Sequence, residues 1–424
     1  MTCTHKFLII LVALFAICTA NANAQTLLEK RDGFEITIVD TVKETEKLPT
    51  PPQDHPFELV QYDTGLGKMA AYLTKPYDEP ENTKYPAIIW ITGGHPQGGA
   101  SPEFAQGGGY KNNQTADSFF KRGVITLYPT FRGTFGNPGV REEFYGEVND
   151  VLAALKFLQQ QSHIDSDHIY LGGHSTGATL ALLAAASTDE FAGVISLGPQ
   201  DDVKNHGSTR LFDTNNPKEF ELRAPINHLD LIKTPTFVIE GEFGVSDALG
   251  RMSERSNNSV LSFWEISGAN HFDVIQASND LFAEAIVQAI QEPSKKFAFS
   301  RKRLESAYTE LAQNMMRAEA LQSLAQTSAK GIDITKQHEL THYFYSQYQG
   351  PIDAITKALK EAKFTKLKSE KVTNEAGEEF ITLEAVRKQK PADLDQLFKD
   401  RAIIERLDRE WNFTYRDWYI ESGK

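Results

Sequence analysis

The sequence predicts an α/β protein in two parts: a doubly wound, mostly parallel sheet, then a smaller C-terminal α+β domain. Two observations carry this. Between residues 57 and 291, apolar runs of strand length alternate with segments of helical periodicity, the order that builds parallel sheets covered by helices on both faces. Then Pro293 and Lys295-Lys296 break the pattern, and a different rhythm of strands and helices follows.

The strand-like runs of the first part are 69–74, 87–91, 124–128, 169–171, 193–197, 236–239 and 262–266. The run at 87–91, Ala-Ile-Ile-Trp-Ile, has no polar face and reads as a strand buried on both sides. Val151, Leu152, Leu155 and Leu158 fall on one face of a helix over 148–160, and a second helix is expected over 280–291. Residues 25–56 are polar and stiffened by Pro49, Pro51 and Pro52, as befits a lead-in strand and linker. Beyond the break, a long polar helix over 302–328 is expected. After it come a strand at 341–348, a helix at 352–362, a strand at 366–373, a turn at 374–377, a strand at 380–383 and a helix at 392–411. With the aromatic end at 413–419 as a last strand, the order is β-α-β-β-α-β, which is ferredoxin-like. The expected division is therefore 1–24, 25–56, 57–291, 292–327 and 328–424.

A chain of 424 residues has room for two or three such domains. Its net charge of −13 excludes the basic stripe that nucleic-acid binding needs. Lys6, the apolar run 7–17 and Ala22-Asn23-Ala24 have the form of a secretory signal peptide cut before Gln25. The run is too short to span a membrane. Both cysteines, Cys3 and Cys18, lie within the signal-like segment, and bulky Ile17 argues against lipidation at Cys18. The mature protein would then have no disulfide and no thiol nucleophile, which fits a periplasm.

Chemistry concentrates at 168–183. An apolar strand, a glycine-pinched turn and an Ala- and Leu-rich helix surround Gly173-His174-Ser175-Thr176-Gly177. This fits G-x-S-x-G, the nucleophile elbow of α/β-hydrolases. Side chains beside a nucleophile on so sharp a turn would clash with the neighbouring strand and helix, and glycines relieve this. The helix N-terminus behind Ser175 favours developing negative charge. The base expected is His271, in Gly268-Ala269-Asn270-His271-Phe272, on a loop at the carboxyl edge of the sheet. His174 reads as a neighbour of the nucleophile, and His163, His168, His206 and His228 as solvated loop histidines. The acid should follow the strand at 236–239, where the chain reads Glu240-Gly241-Glu242-Phe243-Gly244-Val245-Ser246-Asp247. Asp247 is the first choice and Glu242 the alternative, since the acid needs only to reach the far ring nitrogen of the base. The amides of Gly94, in Thr92-Gly93-Gly94-His95-Pro96, and of Thr176 are the expected oxyanion donors. Such a triad needs no metal or organic cofactor.

Four stretches resemble the catalytic domain of the prolyl oligopeptidase family and its dienelactone-hydrolase-like relatives. They are 84–94, with Thr92 where the family has a histidine; Phe131-Arg132-Gly133-Thr134-Phe135-Gly136; the elbow; and Arg223-Ala224-Pro225-Ile226 ahead of Ile232-Lys233-Thr234-Pro235. The resemblance, over about 57–291, implies a serine hydrolase acting through an acyl-enzyme on a small acyl or peptide substrate. Many relatives place an Asp three residues after the glycine that ends the acid strand; here that position is Gly244. Fewer than about 60 residues precede the domain, too few for the propeller that screens peptidase substrates, which leaves esterase chemistry open. The tail, over about 328–421, resembles the ribonuclease E inhibitor B family through Gly331-Ile332-Asp333, the helix near 352–364 and Glu410-Trp411-Asn412-Phe413-Thr414-Tyr415-Arg416-Asp417-Trp418. It implies a protein-binding or substrate-contacting module. The alternative to an enzyme is a degenerate hydrolase scaffold that binds a partner protein.

His338-Glu339-Leu340-Thr341-His342 matches the zinc signature H-E-x-x-H, with Glu361 as a third ligand. That signature needs a helix. The Tyr, Phe and Thr around 341–348 favour a strand, on which the two histidines would stand about 13 Å apart. Ligands each about 2 Å from a zinc ion cannot span that, so strand surface is the preferred reading.

Overall fold

A computed structural model describes residues 25–420 apart from 76–82, 95–100, 110, 208–209, 293–296, 298, 374–376 and 412. The expected signal peptide, the break at 293–296 and most of the turn at 374–377 lie outside the described residues.

The first sheet comprises β1 (Phe57–Thr64), β2 (Gly67–Thr74), β3 (Tyr85–Ile91), β4 (Ile125–Pro129), β5 (Ile164–His174), β6 (Gly193–Leu197), β7 (Thr236–Gly241) and β8 (Leu261–Ile266). Their spatial order is 1-2-4-3-5-6-7-8. β1 and β2 pair antiparallel, as do β2 and β4, and the remaining pairs are parallel. This is the α/β-hydrolase sheet, as expected. β3 is buried along its whole length, consistent with helices on both faces. β1 is not among the expected strands. It is an edge strand with only Phe57 and Tyr62 buried, so its sequence is half polar.

Helices α1 (Leu27–Arg31), α2 (Asp117–Phe120), α3 (Glu147–Gln159), α4 (Thr176–Ala185), α5 (Pro217–Glu221), α6 (Ser246–Arg255) and α7 (Val274–Gln291) accompany the sheet. One apolar cluster packs α3, α4 and α6 on one side; the other packs α2 and α7 on the opposite side. The lead-in is not a strand. Thr26 and Glu29 form a capping box that starts α1, Leu27 enters the core, and β pairing is limited to an Ile38–Phe212 bridge. The buried Arg31 guanidinium donates to the carbonyls of Phe144 (3.0 Å), Tyr145 (2.7 Å) and Leu222 (2.7 Å).

α8 (Arg301–Ala329) links the two sheets and belongs to both cores. Its Leu304, Tyr308 and Ala312 pack with α7, whereas Ala320 packs with Leu340, Leu397 and Trp418. The second sheet has β9 (His338–Ser346), β10 (Thr365–Thr373), β11 (Glu379–Gln389) and β12 (Thr414–Ile420), with α9 (Gln349–Glu361) and α10 (Leu394–Trp411) on one face. The order 10-11-9-12, all antiparallel, is the ferredoxin-like arrangement. Among the described residues no helix is long and apolar enough to cross a membrane.

Candidate active site

β5 ends at His174 and α4 begins at Thr176, so Ser175 alone makes the turn between them. It does so at φ 55° and ψ −117°. Such a backbone conformation costs a non-glycine residue about 1–3 kcal/mol. The turn is clamped from both sides: the Ser175 amide donates to Leu197 O (2.7 Å), and its carbonyl accepts from the Thr179 amide (3.0 Å). Both glycines of the motif are sterically required. A Cβ on Gly173 would lie 2.6 Å from the Gly177 carbonyl carbon, and one on Gly177 2.7 Å from that of Ile91.

His271 stands on the loop between β8 and α7. Its Nδ1 is 2.8 Å from Oε2 of Glu240, a fully buried residue one short of the end of β7. The same carboxylate accepts from the amides of Gly241 (2.7 Å) and Val245 (3.0 Å). Those bonds fix the carboxylate facing the ring. Nδ1–H therefore points at the carboxylate, and Nε2 is left to take a proton.

This corrects the expected acid. Asp247 lies in the first turn of α6 and lines a polar pocket with Gln200, Asn205 and Arg251, while the described partner of His271 Nδ1 is Glu240. Glu242 is exposed and accepts from the Ser267 hydroxyl (2.8 Å) and the Gly268 amide (2.9 Å), bonds that lower its pKa. It pins the base of the histidine loop and leaves the ring alone. The physical reason is room. A Cβ on Gly198 would sit 2.5 Å from Cε1 of His271, and one on Gly244 would sit 2.5 Å from Cδ of Glu240. The Glu240 carboxylate thus fills the volume that a side chain at position 244 would need. A sequence signal was available: a Glu just before Gly241, with glycine where relatives carry Asp.

His174 is more than a neighbour. Burial drives its pKa down to about 3, with the charge of His271 adding to the effect. The neutral ring accepts from Gln114 Nε2 at Nδ1 (2.7 Å) and donates from Nε2 to the carbonyl of His271 (3.0 Å). Gln114 Oε1 in turn accepts from the Gly93 amide (3.0 Å). One hydrogen-bonded chain therefore joins the turn after β3, the elbow and the histidine loop. Nothing in the sequence near 114 announced it.

Gly94 follows at φ +103°, and a Cβ on Gly93 would lie 3.1 Å from that of Ser175. Gly93, next to the expected oxyanion donor Gly94, thus closes on the nucleophile from the turn after β3, and Thr176, the other expected donor, opens α4 directly after it. The segment 95–100 lies outside the described residues.

Two other histidines depart from the solvated reading. His206 stacks on Phe144 (5.1 Å between ring centres) and meets Thr179 Oγ1 at 3.3 Å; burial lowers its pKa to about 4. His228 is buried against Glu221 O at 2.9 Å. Arg132 is structural: it is bidentate to buried Asp150 (3.0 and 2.8 Å) and also binds Glu142 (2.7 Å), tying the loop after β4 to α3. His338 and His342 lie on strand β9, where the zinc signature has no helix to act on. His338 Nε2 contacts Asp333 O (2.8 Å) and His342 Nδ1 contacts the Tyr415 hydroxyl (2.8 Å).

Two families match parts of the chain. Residues 111–243 match the prolyl oligopeptidase family, a segment that contains Gln114, Ser175 and Glu240. Residues 317–419 match the family described as regulator of ribonuclease activity B. An uncharacterized peptidase of Bacillus subtilis is 28% identical over 138 residues, 29% of this chain and 53% of the relative. An uncharacterized protein of Rickettsia prowazekii is 25% identical over 189 residues, 42% of this chain and 71% of that protein. The chain thus spans about half the length of the Bacillus relative. Similar solved structures include the 2,6-dihydroxy-pseudo-oxynicotine hydrolase (TM-score 0.45, 18% identity, 57% of this chain and 70% of that one). The acylaminoacyl peptidase of Pyrococcus horikoshii is another (0.44, 16%, 58% and 44%).

Proposed function

We propose that this protein is a serine hydrolase that cleaves an ester or a peptide bond through an acyl-enzyme, with Ser175, His271 and Glu240 as its triad. The observation that carries the proposal is a strained serine at a helix N-terminus on the same sheet edge as a histidine bonded to a buried carboxylate. Ser175 Oγ attacks the carbonyl carbon while His271 Nε2 takes its proton. Glu240 holds the ring in that tautomer and offsets the charge of the imidazolium. The amides of Thr176 and Gly94 receive the oxyanion. Collapse of the tetrahedral intermediate expels the leaving group, which takes the proton back from His271. Water then repeats the sequence to release the acid. A displaced acid and an appended domain would favour a degenerate binding scaffold; the Glu240–His271 bond supports a working triad instead.

The signal-like sequence at 1–24 supports secretion to a periplasm, and the C-terminal domain is the surface for any protein partner. The test is labelling of the purified chain by a fluorophosphonate. Stoichiometric labelling that disappears in Ser175→Ala is the expected result. A folded wild-type protein that does not label would sink the proposal.

A further inference from the structure

The loop that carries His271 is held at both ends by the C-terminal part of the molecule. Gly268 stands three residues before the histidine, and its carbonyl accepts from the Tyr308 hydroxyl of α8 (2.8 Å). Asp273 stands two residues after it, and its Oδ2 accepts from Arg409 Nε of α10 (3.0 Å) and from the Asn270 amide within the loop (3.3 Å). Tyr308 and Arg409 are themselves partners, the guanidinium carbon lying 5.9 Å from the ring centre, within reach of a cation–π attraction. Both members of the Arg409–Asp273 pair are largely buried, at 16% and 12% side-chain exposure. Water and salt therefore screen the pair poorly.

A second tie lies nearby. Lys111, three residues before Gln114, sits 3.8 Å from Glu319 of α8 and 3.7 Å from Glu405 of α10. Arg401 of α10 also pairs with both of these carboxylates. The loop that feeds Gln114 and the loop that carries His271 are therefore fastened to the same two helices. The hydrolase domain has its own means of fixing its histidine loop at one end, through Glu242, and at its centre, through His174. The described bonds to Gly268 O and to Asp273 from outside the loop come from α8 and α10.

We propose that Tyr308 and Arg409 are positioning residues for His271, so that docking of the ferredoxin-like domain sets the competence of the hydrolase site. This rests on the triad reading above. Tyr308 acts through the loop backbone and Arg409 through the Asp273 carboxylate, and neither has a described bond to a reacting atom. A partner that drew α10 away would release Asp273 and let the ring leave Ser175, so whatever binds the C-terminal domain is an effector of hydrolysis.

The test uses the full chain with Arg409→Gln, Arg409→Lys and Tyr308→Phe, with a fluorophosphonate as the probe. The saturation kinetics of Ser175 labelling separate probe binding from the bond-forming rate, and hydrogen exchange of residues 267–273 is followed by mass spectrometry. Arg409→Gln is expected to lower the maximal labelling rate about tenfold or more without weakening probe binding, since small misplacements of a catalytic group have effects of that size. Exchange in 267–273 should quicken, and Arg409→Lys should restore most of both. Weaker probe binding at an unchanged maximal rate would overturn the proposal, as would unchanged rate and exchange in both Arg409→Gln and Tyr308→Phe. If the folded wild-type chain fails to label, the triad reading falls. The brace is then judged by exchange alone: faster exchange in Arg409→Gln upholds it and unchanged exchange overturns it.

Discussion

Each domain holds a histidine that a sequence signature singles out, His271 partly exposed and His342 buried, and the two differ in what faces Nδ1. His271 faces the Glu240 carboxylate, itself held by two amides. His342 faces the Tyr415 hydroxyl, and desolvation together with the cations Arg401 and Arg387 drives its pKa to about 3. An imidazolium at His271 has a counter-charge waiting, whereas one at His342 would be buried among positive charges. The surroundings, more than the signature, decide which ring can carry a proton in turnover.

The comparison breaks most sharply at the acid. Glu240→Ala is expected to lower turnover about 10⁴-fold, whereas His342→Ala leaves fluorophosphonate labelling of Ser175 unchanged. Equal losses in a steady-state ester assay would erase the distinction. A finer test exchanges the acid's position. Gly244→Asp alone should clash with Glu240 and lose activity. With Glu240→Ala it should recover about tenfold or more over the single Glu240 variant, a gain of about 1.4 kcal/mol. No recovery would mean that the carboxylate must approach from β7.

The next effect is on stability. His342→Ala should cost about 1–3 kcal/mol, read as a lower urea midpoint, because a buried ring and its bond to Tyr415 are lost. Its sign with pH follows from the folded pKa of about 3 lying below the unfolded value near 6.5. Between these values the unfolded chain binds the extra proton, so stability falls as the solution is acidified from the unfolded pKa toward the folded one. The buried rings of His342 and His174 share this depressed pKa. In that window each such group adds a slope of about 1.4 kcal/mol per pH unit. The urea midpoint of the wild type should thus drop on acidification, and more gently in His342→Ala. The smallest effect belongs to Asp247→Asn, which should leave turnover within a factor of about two, because a substitution away from structured partners costs within about 0.5 kcal/mol. A loss near that of Glu240→Ala would return the acid to Asp247.

Most of the fold was legible because periodicity and turn chemistry are local. The parallel strands, the elbow and the β-α-β-β-α-β order all follow from runs of a few residues. What escaped was set by distant contacts or by a local cap. β1 is polar on one side because it lies at an edge, and α1 forms because Thr26 and Glu29 cap each other. At the site, Ser175 and His271 announce themselves by glycine-flanked motifs. Glu240 does not: a carboxylate at a strand end is ordinary until the space left open by Gly198 and Gly244 is known. Gln114 and Arg409 act across 60 and 136 residues of sequence, to His174 and Asp273, and no spacing rule reaches so far.

The shared helix α8 has a consequence for synthesis on the ribosome. Phe299, just ahead of α8, and Leu304, Tyr308 and Ala312 within it complete the apolar cluster around Phe282. A nascent chain that has emerged only as far as residue 291 would have every strand of the large sheet. It would still leave Phe237 and Trp264 without the Phe299 ring that packs on them at 4.9 and 5.1 Å. The large domain therefore closes only once the first half of α8 has followed, ahead of β9–β12. The final strands of the small domain then arrive to find a partly finished surface to fold against.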